Sequence, residues 1–299
     1  MAVALALAAA LCNALATIFE RMGVQSAPAD AAMRWSLIAH VLRRPVWFLG
    51  LASMTAAFGF QVAALGQGDL TLVQPLLVTE LLFLVLILWL WFGKPLGWRE
   101  AVGVTLTVAG LATFLGVSDQ GGGNKLPNAT GWLLMLTAAG GAIVVTVALA
   151  RFGSRIWRSA LYGAGSAISF AVCAAFMKST TTLFRNGGFA HVFSHFEPYA
   201  IAVSGLSGLF LAQNAFHAGP ITASQASLVI VDPIASIVIG VSLFGDNLRG
   251  SYGALALDAA ALAVMSMGLF VLCRSPLIQT TGSNDTLVPQ RRLRAAASG

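Results

Sequence analysis

Charged residues are scarce in this chain. Asp, Glu, Lys and Arg together make up 9% of its 299 residues, whereas 58% of the residues are hydrophobic. An ordinary soluble domain has about 25% charged residues, so this composition leaves no room for a soluble domain of useful size. The sequence therefore predicts a polytopic integral membrane protein.

Motifs of soluble chemistry are also missing. The chain contains no Gly-Lys-Ser/Thr phosphate-binding loop, no HExxH and no GxSxG. Without the first, ATP-driven transport by this chain alone is not expected, and without the others the case for an intramembrane hydrolase is weak. We expect a protein that is not an enzyme and that has no cofactor.

The three cysteines show no metal-ligand spacing. Cys12, Cys173 and Cys273 each lie in an apolar segment, as small buried hydrophobic residues do. The net charge of +6 resides in short loops and in the tail after Cys273, which is typical of topology determinants, so we expect no nucleic-acid partner. The N-terminus lacks the basic region of a cleaved signal, and the first apolar run is interpreted as a retained span.

Nine apolar runs are long enough to cross a bilayer, which takes roughly 20 apolar residues. Helices are expected, since only a helix satisfies its backbone within one segment and no run shows the alternation of a barrel strand. The predicted fold class is an all-α polytopic membrane protein with nine to ten transmembrane helices. The nine runs are 2–20, 46–66, 70–92, 100–117, 131–150, 159–178, 197–217, 221–244 and 252–273.

A tenth candidate span, 29–42, is short and contains Arg34 and His40. Its pattern is compatible with a short span, a re-entrant helix or an interfacial helix. Two other segments are predicted to be flexible or disordered: the linker 118–128 and the basic tail 274–299.

Lys and Arg are distributed unevenly between alternate loops. With nine spans, one set of loops together with the C-terminal tail carries 13 of these residues, and the opposite set carries four. The positive-inside rule then predicts a cytoplasmic C-terminus, whether or not the tenth segment crosses. The excess of Arg over Lys in an Ala-rich chain favours a bacterial source, so we expect a multi-pass protein of a bacterial cell membrane.

Two apolar runs resemble each other over a stretch that includes polar and turn residues. GDLTLVQ (68–74) aligns with GPITASQ (219–225), and the later Phe92-Gly93 pairs with Phe244-Gly245. Five crossings separate the two copies, so the second copy enters the membrane inverted relative to the first. Inverted repeats are typical of secondary transporters; the alternative is coincidence between two Ala/Leu-rich helices.

The repeat predicts the division of the chain. A first repeat occupies 1–117, and a linker with one connecting transmembrane helix occupies 118–158. The second, inverted repeat then occupies 159–273 and is followed by the tail.

Each copy of the repeat carries an acid near the middle of its span. Glu80 is the eleventh of 23 residues in its run, and Asp232 is the twelfth of 24. The repeat alignment brings these two positions within one residue of each other, near the bilayer midplane. Transporters with inverted repeats have their substrate or ion site at that depth. Acids inside the membrane are costly, so their presence indicates a function.

The surroundings of Asp232 favour a cation or proton site. On a helix, Gln225, Asp232 and Ser236 share a face. Pro233 cannot donate a hydrogen bond to the carbonyl of Val229, so one backbone oxygen stays free beside the carboxylate. We expect these three polar residues on a substrate or ion pathway; a structural hydrogen bond between helices is the alternative for Asp232.

Three further residues complete the predicted pathway. Glu80 has apolar helical neighbours and is included as the symmetric partner of Asp232, and Gln74 is included as the partner of Gln225. Asp258 lies on a face of small alanines, which favours a helix–helix hydrogen bond over a role in transport.

Other polar residues within the spans are more typical of helix packing than of ligand binding. Asn13 and Gln61 belong to this group, although Gln61 and Gln213 occupy near-equivalent positions of the two halves. The sequence offers no metal-ligand set, so the identity of any metal ligand stays open.

The segments AALGQGDLTLVQPLLVTELLFLVLILWLWFGKPL and NAFHAGPITASQASLVIVDPIASIVIGVSLFGDNL resemble the drug/metabolite transporter (DMT) superfamily, the EamA-like proteins. In that pattern a small-residue turn precedes a Pro-containing span that ends in a Gly and an acidic or basic residue. The usual acid is replaced by Lys94 in the first half and kept as Asp246 in the second. Uneven helix lengths are most similar to the NIPA-like branch, associated with magnesium transport. The resemblance covers most of 2–273 and implies a transporter fold.

Three functions remain in view. The leading hypothesis is a secondary transporter that moves a small metabolite, drug or cation by alternating access, with proton coupling as one option. The second is a NIPA-like magnesium carrier or channel, and the third is a non-transporting scaffold or lipid-handling protein. The expected partners are a small-molecule or cation substrate and the lipid bilayer. The oligomeric state, including a homodimer, stays open.

Overall fold

The structure is a computed structural model that describes residues 1–25, 45–117, 127–246 and 252–278. These residues are almost entirely helical and include no strand, as the predicted fold class requires. The tenth candidate span at 29–42 and most of the predicted linker and tail lie outside the described residues. The α-helices are α1 (Ala2–Gln25), α2 (Pro45–Leu65), α3 (Leu70–Leu77), α4 (Glu80–Phe92), α5 (Trp98–Val117), α6 (Ala129–Ala150), α7 (Arg155–Phe193), α8 (Glu197–Ala218), α9 (Ile221–Ile239) and α10 (Tyr252–Cys273).

Nine segments of the described chain are long and apolar enough to cross a membrane when α3 and α4 are counted together. Each of the nine predicted runs overlaps one of these segments. The prediction of an all-helical architecture with nine membrane-length helices is therefore confirmed for the described residues, and it fits a polytopic membrane protein.

The predicted run 70–92 is interrupted after α3. Val78 and Thr79 form a turn, and α4 begins at Glu80. The hydroxyl of Thr79 donates to the carbonyl of Leu76 over 2.7 Å, so it competes with the backbone for that oxygen. Pro75 lies in the same helix and lacks an N–H, so this stretch has one backbone hydrogen bond fewer.

Helix α9 behaves differently, because it continues through Pro233 without a break. It ends in a π-helical turn, Gly240–Phe244, and the chain then reverses at Gly245 with a φ of 68°. Gly93, at the end of α4, has a φ of 60°. Glycine is the residue best suited to this left-handed conformation.

Helix α7 extends well beyond the predicted run 159–178. It reaches Phe193, with a bend at Gly188 where φ is 68°. A lysine at the end of an apolar run normally marks the membrane interface, but Lys178 is 3% exposed and lies inside the protein. Its charge is matched by an internal partner described below, so the helix continues past it.

Close packing between α5 and α10 depends on small residues. A Cβ at Gly110 would lie 2.5 Å from the backbone nitrogen of Met265, and one at Gly268 would lie 2.5 Å from that of Thr107. Glycines at both positions let the two backbones approach, which is how helices gain packing contacts in a bilayer.

Helices α1 and α7 each pack mainly against three other helices. α1 packs against α2, α3 and α4, and α7 packs against α8, α9 and α6. By contrast, α6 is largely exposed and is anchored near its start by Trp132. The Trp132 ring stacks on Phe176 of α7 at 4.6 Å and meets Phe244 edge-on at 6.5 Å.

Candidate functional site

A cavity of about 500 Å³ lies among α1, α2, α3, α4, α7, α8 and α9. We call it the central cavity. Much of its wall is aromatic, Met and aliphatic, with Phe58, Phe170 and Met177 as examples. The wall also carries carboxyl and carboxamide groups, which belong to Asn13, Gln61, Gln74, Glu80 and Asp232.

Asp232 reaches the central cavity from the middle of α9. Its Oδ1 oxygen is buried and has no hydrogen-bond partner among the described residues. Val229, whose carbonyl faces the missing N–H of Pro233, lines the same cavity. Since an unpartnered buried oxygen is costly, a carboxyl in this position indicates a place for a ligand, a proton or water.

Glu80 reaches the same cavity from the start of α4. We call Leu70–Phe92, which contains Glu80, and Thr222–Phe244, which contains Asp232, the acid-bearing segments. The turn at Thr79 places Glu80 in the first turn of α4, where the helix dipole favours a negative side chain. The side chain of Asn13 from α1 hydrogen-bonds the Glu80 carboxyl. Glu80 thus has a polar partner on α1, whereas Oδ1 of Asp232 has none among the described residues.

The two carboxyls lie near enough for their charges to interact. Among the described residues that line the cavity there is no Lys, Arg or His. The site therefore combines two acids, three carboxamides and an apolar wall, and its electrostatics favour a cation over an anion.

Three of the six predicted pathway residues line the central cavity. These are Asp232, Glu80 and Gln74, and Gln74 is 2% exposed. Sequence symmetry located them, because each was paired with a residue of the other half.

Gln225, Ser236 and Asp258 do not line this cavity. Gln225 is seven residues before Asp232, about 10 Å along a helix, so the polar stripe on α9 is longer than the cavity. Ser236 is fully buried with no hydrogen-bond partner among the described residues. Asp258 is 3% exposed on α10, which packs against α5.

Asn13, Gln61 and Cys173 line the cavity although the sequence favoured packing roles for them. The thiol of Cys173 donates to the carbonyl of Ile201 at 3.5 Å. Only the near-equivalence of Gln61 and Gln213 gave a signal in the sequence, and Gln213 itself is exposed.

A second polar cluster includes Lys178, the residue that follows the cavity-lining Met177 in α7. Lys178 Nζ is 2.9 Å from Asp246 Oδ1 and 3.6 Å from Asp69 Oδ1. The other oxygen of Asp246 accepts the backbone N–H of Thr71 over 3.1 Å, at the start of α3. We call Asp69, Lys178 and Asp246 the ion-pair cluster; Lys178 also lies 4.8 Å from the ring of Phe244.

The fold and the site together describe a protein whose helices are long enough to span a membrane and which has an acidic, partly apolar internal cavity. A protein of Corynebacterium glutamicum named as uncharacterized is 26% identical over 275 residues, which cover 92% of this chain and 95% of that protein. No family model matches the chain. No solved structure matches it either.

Proposed function

We propose that this protein is a secondary transporter and that the central cavity is its substrate site. It moves a small metabolite, drug or cation across the membrane by alternating access. The observation that carries the proposal is the meeting of Glu80 and Asp232, one from each acid-bearing segment, at a single cavity of about 500 Å³. Asp232 has one buried oxygen without a partner among the described residues, as a group does that binds a ligand or a proton in turn.

Matching ends of the two acid-bearing segments support an inverted repeat. The N–H of Lys94 donates to the carbonyl of Leu88, and the N–H of Asp246 donates to that of Gly240. In both cases the donor lies six residues after the acceptor and comes directly after a buried Phe and a left-handed Gly. The proposed division into repeats at 1–117 and 159–273, joined through α6, rests on this likeness and on the similar packing around α1 and α7.

The chemistry of the cavity favours a positively charged organic substrate. The described lining contains acids and carboxamides but no basic side chain. Phe58, Phe170 and Met177 offer aromatic and thioether surface to an apolar body, and aromatic faces attract cations. A proton on one of the acids is the natural exchange partner for such a cation.

Magnesium is a second candidate, because every polar group except the Cys173 thiol is an oxygen-bearing side chain of the type that hard cations prefer. A bare ion takes six ligands at about 2.1 Å, whereas the cavity has the volume of an organic molecule and a mostly apolar wall. The described residues contain no group of three or more His, Cys, Asp or Glu that could hold a metal ion. We therefore rank magnesium second.

A scaffold or lipid-handling role would need the acids only to join helices. Glu80 and Asp232 instead line one central cavity, which argues against that role. The proposed topology is a multi-pass protein of a bacterial cell membrane with a cytoplasmic C-terminus, by the distribution of Lys and Arg.

Transport by purified protein in liposomes tests the proposal. Uptake of tetraphenylphosphonium, of a neutral aromatic amide and of Mg²⁺ is measured with an imposed pH gradient, against protein-free liposomes. We expect accelerated uptake of the organic cation and little effect on the other two. Uptake of none of them would contradict the transport proposal, and uptake of Mg²⁺ alone would favour the second candidate.

A matched acid provides the control. The double variant Glu80→Gln with Asp232→Asn should lose uptake while remaining monodisperse in detergent. Asp258→Asn changes a buried acid that does not line the cavity, so it should keep most of the uptake. If both variants lose activity equally, the cavity acids are not the site.

A further inference from the structure

The ion-pair cluster adjoins two cavities. A second cavity, of about 990 Å³, is lined by Asp69, Leu72, Thr181 and Arg185 among others; we call it the end cavity. Along α7, Met177 lines the central cavity, Lys178 belongs to the cluster, and Thr181 lines the end cavity. Within one turn or so of α7, the chain passes from the central cavity to the cluster and then to the end cavity.

Helix α3 also lines both cavities. Leu72 lines the end cavity and Gln74 lines the central cavity, and the backbone N–H of Thr71, in the same helix, donates to Asp246. Helices α3 and α7 therefore each line both cavities and each contact the cluster.

The cluster is dense as well as charged. The side chains of Lys178 and Asp246 are 4% and 0% exposed, whereas that of Asp69, on the side of the end cavity, is 14% exposed. A Cβ at Gly240 would lie 2.5 Å from Asp246 Oδ2 and 2.9 Å from Thr71. The Asp246 carboxylate is therefore closely surrounded by Lys178, Thr71 and Gly240.

We propose that the ion-pair cluster is a gate that closes the central cavity toward the end cavity. The gate rests on the proposed transport function. It ties together α7, the start of α3 and the turn after the π-helical segment, so these elements must separate for it to open. Lys178 can then leave Asp246 and stay paired with Asp69, which lies 3.6 Å away and nearer the end cavity. Its charge is matched throughout, which avoids an unpaired buried cation.

The opposite end cannot use the same device. In the repeat alignment Asp246 corresponds to Lys94, and Asp69 corresponds to Pro220. Neither carboxyl of the gate has a counterpart, so the two ends of the protein open by different contacts.

A native thiol reports on this gate without any substrate. Cys173 lines the central cavity and is 5% exposed. Replacing Cys12 and Cys273 by Ala leaves it as the remaining cysteine of the chain. In liposomes, labelling by a membrane-impermeant methanethiosulfonate ammonium reagent is timed from each face. Thr181→Cys in a cysteine-free chain identifies the face of the end cavity.

We expect slow labelling of Cys173 from the end-cavity face in the parent. Asp246→Asn, and the charge-balanced pair Lys178→Met with Asp246→Asn, should each accelerate it by about tenfold or more, because the closed state loses its tie. Arg185→Gln is the matched control: it removes a cation that lines the end cavity and bonds the carbonyl of Gly66 but lies outside the cluster. It should leave the rate unchanged.

Two outcomes overturn the gate. One is an unchanged labelling rate in both folded cluster variants; the other is equal acceleration in the Arg185→Gln control. The charge-balanced pair keeps the test decisive if Asp246→Asn alone fails to fold, because it removes the buried lysine together with its nearest acid. Faster labelling without any transport would contradict the proposed function but support the gate. Transport with unchanged labelling would support the proposed function but contradict the gate.

Discussion

The two acid-bearing segments, Leu70–Phe92 and Thr222–Phe244, are alike at their ends and different in the middle. Each ends in a buried Phe followed by a left-handed Gly. The first is broken at Val78–Thr79, so that Glu80 lies in a first helical turn. The second is unbroken, and Asp232 lies in mid-helix beside a proline.

This difference gives the two acids unequal surroundings. Glu80 has a helix N-terminus and the Asn13 side chain to stabilise its charge. Asp232 has a buried oxygen without a partner among the described residues. A carboxyl that already has polar partners binds a substrate cation less well than a carboxyl without such partners. We infer that Asp232 makes the main contact with the cargo and that Glu80 assists.

The largest expected effect comes from removing the Asp232 charge. Asp232→Asn should lower the initial rate of cation uptake by about 100-fold or more, because a charge pair about 4 Å apart near a protein surface is worth roughly 4 kcal/mol. Glu80→Gln should lower it by only about tenfold. Both are measured in liposomes at equal protein density. An equal loss in the two variants would break the comparison.

A smaller effect is expected at Asn13. Asn13→Ala removes the hydrogen bond to Glu80, and a bond to a charged group is worth about 1.5–3 kcal/mol. Part of this energy should appear as a several-fold loss of uptake. In the Glu80→Gln background the same change should have little further effect, which a double-mutant cycle measures. Additive losses would show that Asn13 acts independently of Glu80.

The break between α3 and α4 offers a third test. Thr79→Val removes the hydroxyl that bonds the carbonyl of Leu76 and keeps the shape of the side chain. We expect the helix to become more continuous, the unfolding temperature to hold or rise, and uptake to fall a few-fold as Glu80 leaves its first-turn position. Thr105→Val, at an exposed hydroxyl on α5, is the control. Unaltered uptake in Thr79→Val would mean that the break does not position Glu80.

The smallest effect concerns the matching ends. Gly93→Ala and Gly245→Ala each force a Cβ into the left-handed region, at a cost of roughly 1–2 kcal/mol. The two losses of stability should be similar, as read from thermal unfolding in detergent. Gly59→Ala, in the middle of α2 with no atom within 4 Å of its Cβ, should cost nothing. A large difference between Gly93 and Gly245 would argue against equivalent ends.

Hydropathy alone predicted the position of each membrane-length segment, because an apolar run of about 20 residues is typical of a membrane-spanning helix. It could not predict the break at Thr79, since a threonine in an apolar run is compatible with a continuous helix until its hydroxyl takes a carbonyl. Nor could it predict that Lys178 is internal. Its partner Asp246 lies 68 residues further along the chain, so only the folded arrangement explains why α7 continues past it.

The candidate site was accessible to sequence reasoning where symmetry applied. Glu80 and Asp232 were found because they occupy matching depths, and their common cavity depends on that depth. Asn13 was missed because one carboxamide in a span is indistinguishable from a packing residue. Gln225 and Ser236 share a face with Asp232, but a periodicity argument gives the direction of a side chain and not the length of a cavity.

Along α6 only Trp132, Met135 and Ala150 are buried. A Cβ at Gly140 or Gly141 would meet no atom within 4 Å. Few side chains therefore constrain the middle of this helix, although Ala139 packs against the core. Among related chains we expect this stretch to drift fastest in identity while its length and hydropathy stay fixed, with Trp132 as the slowest-changing position of the helix.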